Sequence, residues 1–436
     1  MLKGCECEMT AVLLVSLLAV AAMLVLVFCK PAVHVGHTAI SIFWAAPVLG
    51  VVALLVMGTL SFGEIGAGLT AETAVNPLKI LVLFFSMTLL STFLDEAGFF
   101  RFLAGFVMRR AGSRQTVLFI SLYLAVSVLT VFTSNDIVVL TFTPFICYFA
   151  KNAEIDPLPY LVAEFVAANT WSMALIIGNP TNIYLAASHG VDFAAYTVEM
   201  LLPTVFAGVT SFAMLLLLFR KKLKAPMGGR APDVLPMDIP TVAVGLAALL
   251  GCVVMLVVSS YVNLPMWLIA AAFCVLLYLI ATVLELCRRR GLRLILRSVL
   301  RAPLDVIPFV LSMFVLVMAL EKVGVTAGLA SLLAGRGEIF TFGAASFLLA
   351  NVLNNIPMSV LFASVTANAG GMGALYAAVI GSNIGAFLTP MGALAGIMWM
   401  AMLREQGVAL SFGRFTAIGA AISVPTMAAA LVGLLL

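Results

Sequence analysis

Gln115–Ala150 reads QTVLFISLYLAVSVLTVFTSNDIVVLTFTPFICYFA. Two apolar runs, Gln115–Thr133 and Ile137–Ala150, flank the polar triplet Ser134-Asn135-Asp136. A polar tip between two apolar arms predicts a re-entrant hairpin that enters a membrane and returns to the face it left. A second stretch has the same form, with Ile339–Leu353 and Met358–Ala369 flanking Asn354-Asn355-Ile356-Pro357.

The rest of the chain supplies the membrane these hairpins need. Of 436 residues, 64% are hydrophobic and 10% charged, whereas soluble domains are about a quarter charged. Stretches near the roughly 20 residues required to cross hydrocarbon recur from Thr10 to Leu436. The first, Thr10–Cys29, lacks a small-residue cleavage site and reads as a spanning helix rather than a removed signal. Basic residues cluster in Arg101–Arg114, Arg220–Arg230 and Arg288–Arg301, and such clusters beside apolar helices stay cytoplasmic. They carry no interleaved stacking aromatics, so no nucleic-acid partner is expected. The scattered cysteines suggest neither a disulfide framework nor a metal site.

With the basic clusters fixed on one side, ten crossings and two hairpins give a consistent topology with both termini outside. The first hairpin opens to the cytoplasm and the second to the exterior. Leu158–Ser188 is interrupted at Gly178-Asn179-Pro180-Thr181-Asn182, and Leu375–Met402 at Gly381-Ser382-Asn383-Ile384-Gly385 and at Thr389-Pro390. Gly and Pro together break helices. The chain then divides into a first repeat, 1–220, a cytoplasmic linker, 221–240, and an inverted second repeat, 241–436. Phe85-Ser86-Met87 and Leu94-Asp95-Glu96-Ala97-Gly98 match Leu311-Ser312-Met313 and Leu320-Glu321-Lys322-Val323-Gly324 at one offset of 226. Asn135-Asp136 is paired with Asn354-Asn355, and Ile177-Gly178-Asn179 with Ile380-Gly381-Ser382. The expected fold is an all-α polytopic membrane protein of two inverted-topology repeats, each with a re-entrant hairpin and a broken transmembrane helix.

Irregular backbone survives at membrane depth only inside protein or beside a watery cavity, so four breaks in one chain point to one shared cavity. Its expected lining for solute or ion is Ser134, Asn135, Asp136 and Thr141 on the first hairpin and Asn354 and Asn355 on the second, with Thr143 further along the first. Asn169, Asn179, Thr181 and Asn182 join from one broken helix, and Ser382, Asn383 and Thr389 from the other. Asp136 is the sharpest of these, because an ionisable group deep in a membrane is costly and usually functional. The alternative is a carboxylate that caps its own helix start. Glu164 is a second acid on the intact part of a broken helix, with a structural placement as its competing reading.

Ser134-Asn135-Asp136 through Thr143-Pro144-Phe145-Ile146 resembles the hairpin motif of the arsenite/antimonite efflux permease family. That family belongs to the ion transporter superfamily, with sodium/proton antiporters and sodium-coupled carboxylate transporters. Leu94-Asp95-Glu96-Ala97-Gly98-Phe99-Phe100 resembles its helix-end motif, and Ile380-Gly381-Ser382-Asn383 through Leu388-Thr389-Pro390-Met391-Gly392 its second broken helix. The resemblance departs at Asn169 and Asn383, where family members often carry acids. It implies an ion-gradient-driven secondary transporter in the cell membrane, not an enzyme, exporting arsenite or antimonite. An organic-anion carrier and a sodium/proton antiporter are the alternatives. No cofactor is expected beyond a coupling ion, H+ or Na+. Expected partners are the lipid bilayer and a small inorganic or organic solute, with a homodimer and a soluble ATPase subunit as further candidates. The chain has no phosphate-binding loop of its own.

Overall fold

The computed structural model describes residues 2–29, 32–35, 38–71, 76–110, 114–225, 227, 237–262, 264–335, 337–369 and 371–436. The chain opens with α1 (Leu2–Cys29), a short antiparallel ribbon of β1 (Ala32–Val35) and β2 (Thr38–Ser41), α2 (Ala45–Val56), α3 (Phe62–Thr70), α4 (Pro77–Glu96) and α5 (Phe99–Arg110). The hairpin arms α6 (Gln115–Phe132) and α7 (Asn135–Asn152) follow, then α8 (Leu158–Trp171), α9 (Pro180–Ser188) and α10 (Phe193–Phe219). The second half runs α11 (Ile239–Val262), α12 (Met266–Cys287), α13 (Arg293–Leu300), α14 (Val306–Lys322), α15 (Val325–Leu333), α16 (Glu338–Leu353), α17 (Asn355–Ala369), α18 (Met372–Gly385), α19 (Leu394–Glu405) and α20 (Phe412–Leu435). Most of the expected linker, 226 and 228–236, lies outside the described residues.

Among the described residues seven helices are long and apolar enough to cross a membrane alone, and α14 with α15 forms one further candidate bent by 78°. One of the seven, Gln115–Phe132, is instead the first hairpin arm. The broken helices α8/α9 and α18/α19 supply crossings that no single piece is long enough to make. With 12 residues, α2 extends only about 18 Å, short of a hydrocarbon layer.

Apart from the β1/β2 ribbon, the helices of the first half, α1–α10, recur in order as α11–α20. The helix α4 ends at Gly98 with φ 87°, and α14 ends at Gly324 with φ 80°. These glycines stand at the same place in the matched pentapeptides, since a left-handed turn after a helix carries no Cβ penalty only for glycine. Packing repeats too: α1 lies on α2 as α11 does on α12, α4 lies on α12 as α14 does on α2, and α6 lies on α8 as α16 does on α18. The hairpins exchange partners across the repeats, with α7 against α19 and α17 against α9.

Inversion follows from which helix ends meet. On one face, Gln115 Nε2 donates to the Ala225 carbonyl, Lys222 pairs with Asp156, Arg288 and Arg290 pair with Asp238, and Arg301 pairs with Asp95 and Glu96. The start of α6, the end of α7 and the starts of α11 and α14 therefore share this basic face, which the charge rule makes cytoplasmic. On the other face Ser260 donates to Asp192, and Lys322 pairs with Glu64. The start of α10 and the ends of α11 and α14 meet there. The α6/α7 hairpin thus opens to the basic face.

Candidate functional site

Both broken helices are interrupted by the same device. A 3-10 turn occupies Ile176–Gly178 in one and Pro390–Gly392 in the other, 214 residues apart. In each, the glycine N–H donates back three residues, Gly178 to Leu175 O and Gly392 to Thr389 O, both at 3.1 Å. The turn folds tightly against the carbonyls it has left. A Cβ on Gly178 would stand 2.1 Å from Ser172 O, and one on Gly392 would stand 2.3 Å from Gly385 O. Side chains cap different parts of the two breaks: Asn179 Oδ1 accepts from Thr181 N at the start of α9, with Pro180 in the first turn, whereas Thr389 Oγ1 accepts from Met391 N at the start of the 3-10 turn and α19 follows Ala393 without a side-chain cap.

This geometry corrects two sequence-based assignments. Gly381-Ser382-Asn383-Ile384-Gly385 is not a break but intact helix within α18. Its glycines serve close approach to α16, where a Cβ on Gly381 would lie 1.9 Å from Ser346 Oγ and one on Gly385 2.8 Å from Phe347 O. The counterpart of Ile177-Gly178-Asn179 is accordingly Met391-Gly392-Ala393, and Asn169 pairs with Asn383. The tip alignment shifts as well. Asn135 and Asn355 each begin their helices, so Asp136 corresponds to Ile356 rather than to Asn355. The difference in charge between the two tips stands under either alignment.

Unwound backbone in a dry interior must find partners, and asparagines provide them. Asn182 Nδ2 donates to Ser172 O (2.8 Å) and Leu175 O (3.2 Å) in the first break. In the second, Asn351 Nδ2 donates to Gly385 O (3.0 Å) and its Oδ1 accepts from Thr389 N (3.0 Å) and Thr389 Oγ1 (2.7 Å). Asn169 and Asn383 both donate to the carbonyl one turn back, Phe165 O at 2.8 Å and Val379 O at 2.9 Å. Asn383 also bridges the repeats. Its Oδ1 accepts from Ser172 Oγ (2.9 Å) and Asn179 Nδ2 (3.1 Å), and its Nδ2 donates to Asn182 Oδ1 (2.7 Å). At the mirrored break the positions of Ser172, Asn179 and Asn182 are filled by Ala386, Ala393 and Gly396, so the polar cluster is one-sided.

Each hairpin tip leans on the broken helix of its own repeat. Asn135 Nδ2 donates to Asn169 Oδ1 (3.1 Å), and Asn354 Nδ2 donates to Met391 O (3.1 Å). Asn354 adopts φ 78° and ψ 152°, outside the left-handed helical well that asparagine tolerates and in a region otherwise occupied essentially by glycine. Ser134 flanks α7 without a side-chain cap, and Asp136 in its first turn has no hydrogen-bond or ion-pair partner among the described residues. The reading of Asp136 as a cap for its own helix is therefore not the observed arrangement. Asn135 Oδ1, Thr181 Oγ1 and Ser382 Oγ are buried without partners among the described residues; neutral oxygens of this kind suit a small hard cation. Asn355 is buried at the start of α17.

Thr141 is not brought to this cluster. It lies further along α7, beside the Asp95 carboxylate near the basic face. Thr143 and Glu164 form a separate buried pair, with Thr143 Oγ1 3.1 and 3.0 Å from the two carboxylate oxygens. The sequence reading missed Ser172 and Asn351. Each stands at or one turn before an interruption, which is the signal that would have found them. Among the described residues no group of three or more His, Cys, Asp or Glu could hold a metal.

The profile of the CitMHS family, described as citrate transporter, matches residues 23–377. An arsenical pump membrane protein of Escherichia coli is 27% identical over 418 residues, covering 91% of this chain and 94% of that protein. One from Yersinia enterocolitica is 28% identical over 419 residues, with coverages of 91% and 94%. An uncharacterized transporter of Mycobacterium tuberculosis is 25% identical over 366 residues, covering 80% and 83%. The YdaH transporter of Alcanivorax borkumensis, whose solved structure is described as having an unusual topology, superposes with a TM-score of 0.55 at 13% identity over 98% of this chain and 97% of that one. That likeness is one of fold. Inverted repeats, discontinuous helices and these relatives agree: the chain belongs to the CitMHS citrate transporter family of the ion transporter superfamily, as a multi-pass secondary transporter of the cell membrane.

Proposed function

We propose that the protein moves arsenite or antimonite out of the cell, driven by a proton or sodium gradient. One observation carries this reading: the cluster between the breaks is built of amides and hydroxyls, and 133–146, 164–185, 350–362 and 379–397 contain no Lys, Arg or His. Trivalent arsenic near neutral pH is an uncharged trihydroxide, which can both donate to and accept from Asn and Ser side chains without a counter-charge. The similarity to arsenical pump membrane proteins supports it. The solute would contact Asn135, Asn169, Asn179, Asn182, Asn354, Asn355 and Asn383, with Ser134, Thr181, Ser382 and Thr389 beside them and Asp136 coupling transport to the ion. Repeats 1–220 and 241–436, joined by 221–240, would act as the alternating-access unit. A second copy of the chain and a soluble ATPase are candidate partners.

A carboxylate carrier is the second reading, supported by the citrate transporter profile and by the start of α7, where no side chain caps the flanking residue and an anion would be favoured. A sodium/proton antiporter titrating at Asp136 is the third. Proteoliposomes with imposed pH or sodium gradients separate them. Gradient-dependent accumulation of arsenite or antimonite, without citrate, is expected. Accumulation of citrate with arsenite excluded, or sodium/proton exchange with neither solute, would overturn the proposal.

A further inference from the structure

The basic face carries a feature that solute transport does not use. The helix α13 buries Ser298 and half-buries Leu294 and Ile295, packing on α4. Beside the exposed Val299, α13 and the turn before it carry two sets of exposed side chains at four-residue spacing. Leu292, Leu296 and Leu300 are 40%, 59% and 76% exposed, and Arg289, Arg293 and Arg297 are exposed beside them.

The other charges nearby are already engaged. Arg288 and Arg290 hold Asp238, Arg301 holds Asp95 and Glu96, and Glu285 is buried. Arg289, Arg293 and Arg297 have no ion-pair partner among the described residues. The turn before α13 has two residues of positive φ, Arg289 at 55° and Gly291 at 73°. Three unneutralised guanidinium groups thus flank a leucine stripe at the end of the spanning helix α12, whose Leu279, Val283 and Leu286 are likewise exposed.

We infer that α13 and the turn preceding it form a binding site for anionic phospholipid headgroups of the cytoplasmic leaflet, with Arg289, Arg293 and Arg297 holding the phosphates and Leu292, Leu296 and Leu300 seated among the acyl chains. Charge complementarity selects the occupant, because basic amphipathic segments beside spanning helices gain from anionic lipid. A soluble acidic partner would satisfy the arginines but leave the leucines in water, which is why lipid is preferred. Each arginine near such a surface strengthens binding about fivefold, so the three together give on the order of a hundredfold preference over zwitterionic lipid.

Full-length protein purified in neutral detergent, titrated with phosphatidylglycerol or phosphatidylcholine and read by native mass spectrometry, tests this. The unmodified protein should retain phosphatidylglycerol preferentially, and R289Q/R293Q/R297Q should lose about a hundredfold of that preference, with R293Q alone losing about fivefold. High salt should abolish the preference of the unmodified protein, a test that stands even if the triple variant fails to insert. Equal retention of both lipids by the unmodified protein, an unchanged preference in the triple variant, or a preference indifferent to salt would overturn the inference.

Discussion

Replacing Asn383 by alanine tests the bridge between the two repeats. The change removes the acceptor for Asn179 Nδ2 and the donor to Asn182 Oδ1. Ser172 Oγ retains Asn169 O as an alternative acceptor at 3.0 Å, so two groups are orphaned rather than three. Both belong to buried residues. A buried polar group left unpaired costs about 1–3 kcal/mol, which would give roughly 2–6 kcal/mol. Hydrogen bonds between membrane helices measured against an unfolded state that finds other partners average only about 0.6 kcal/mol, which would give about 1 kcal/mol. The lower scale applies to reversible unfolding in micelles, so N383A should lose about 1–2 kcal/mol there. Intrinsic fluorescence of the four tryptophans, one of which, Trp171, ends α8 beside Ser172, reports the transition. In a double-mutant cycle N383A and N182A should couple by about 0.6–1.7 kcal/mol, while N383A and N152A, the latter on an exposed end of α7, should add. Additivity of N383A and N182A within about 0.3 kcal/mol would refute the bridge.

Asp136→Asn should abolish or uncouple transport at near-normal abundance, because it preserves size and removes the unpartnered charge; unchanged pH and sodium dependence of proteoliposome flux would remove Asp136 from coupling. G178A and G392A should each destabilise by about 1–3 kcal/mol through the forced backbone clash and reduce flux about tenfold or more, whereas G413A, with nothing near its added Cβ, should leave both unchanged. Cysteines introduced at exposed Lys224 and Ser331 should label from opposite sides of intact cells. Labelling of both from one side would contradict the inverted repeats.

The hairpins and the repeat were legible because hydropathy reports them directly: an apolar arm must end where Ser134-Asn135-Asp136 or Asn354-Asn355 begins, since no lipid-facing backbone could carry those groups. The 226-residue match was legible because Gly98 and Gly324 occupy left-handed turns that admit little else. The break expected at Thr389-Pro390 coincides with the observed turn, but the one expected at Gly381–Gly385 is intact helix, because glycine has two uses in a membrane helix. At Gly381 and Gly385 it admits the neighbouring helix α16, and at Gly392 it admits the chain's own preceding carbonyl; composition is the same and only packing separates them. Thr141 was grouped with the tip by proximity in sequence, yet the 18-residue helix α7 carries it toward the opposite, charged end. Asn351 was missed for the converse reason, since its partners Gly385 and Thr389 lie more than thirty residues away. What decides whether a buried asparagine belongs to a solute site or to backbone repair is the partner it meets. Asn182 spends its amide hydrogens on the carbonyls of the first break and Asn351 shares its own between Phe347 O of its own helix and Gly385 O at the second, whereas Asn135 keeps a free oxygen and Asp136 keeps both. The free oxygens of the first hairpin tip, the half of the pseudo-symmetric pair that carries the charge, thus join those of Thr181 and Ser382 on the two broken helices as the capacity left for a solute or ion.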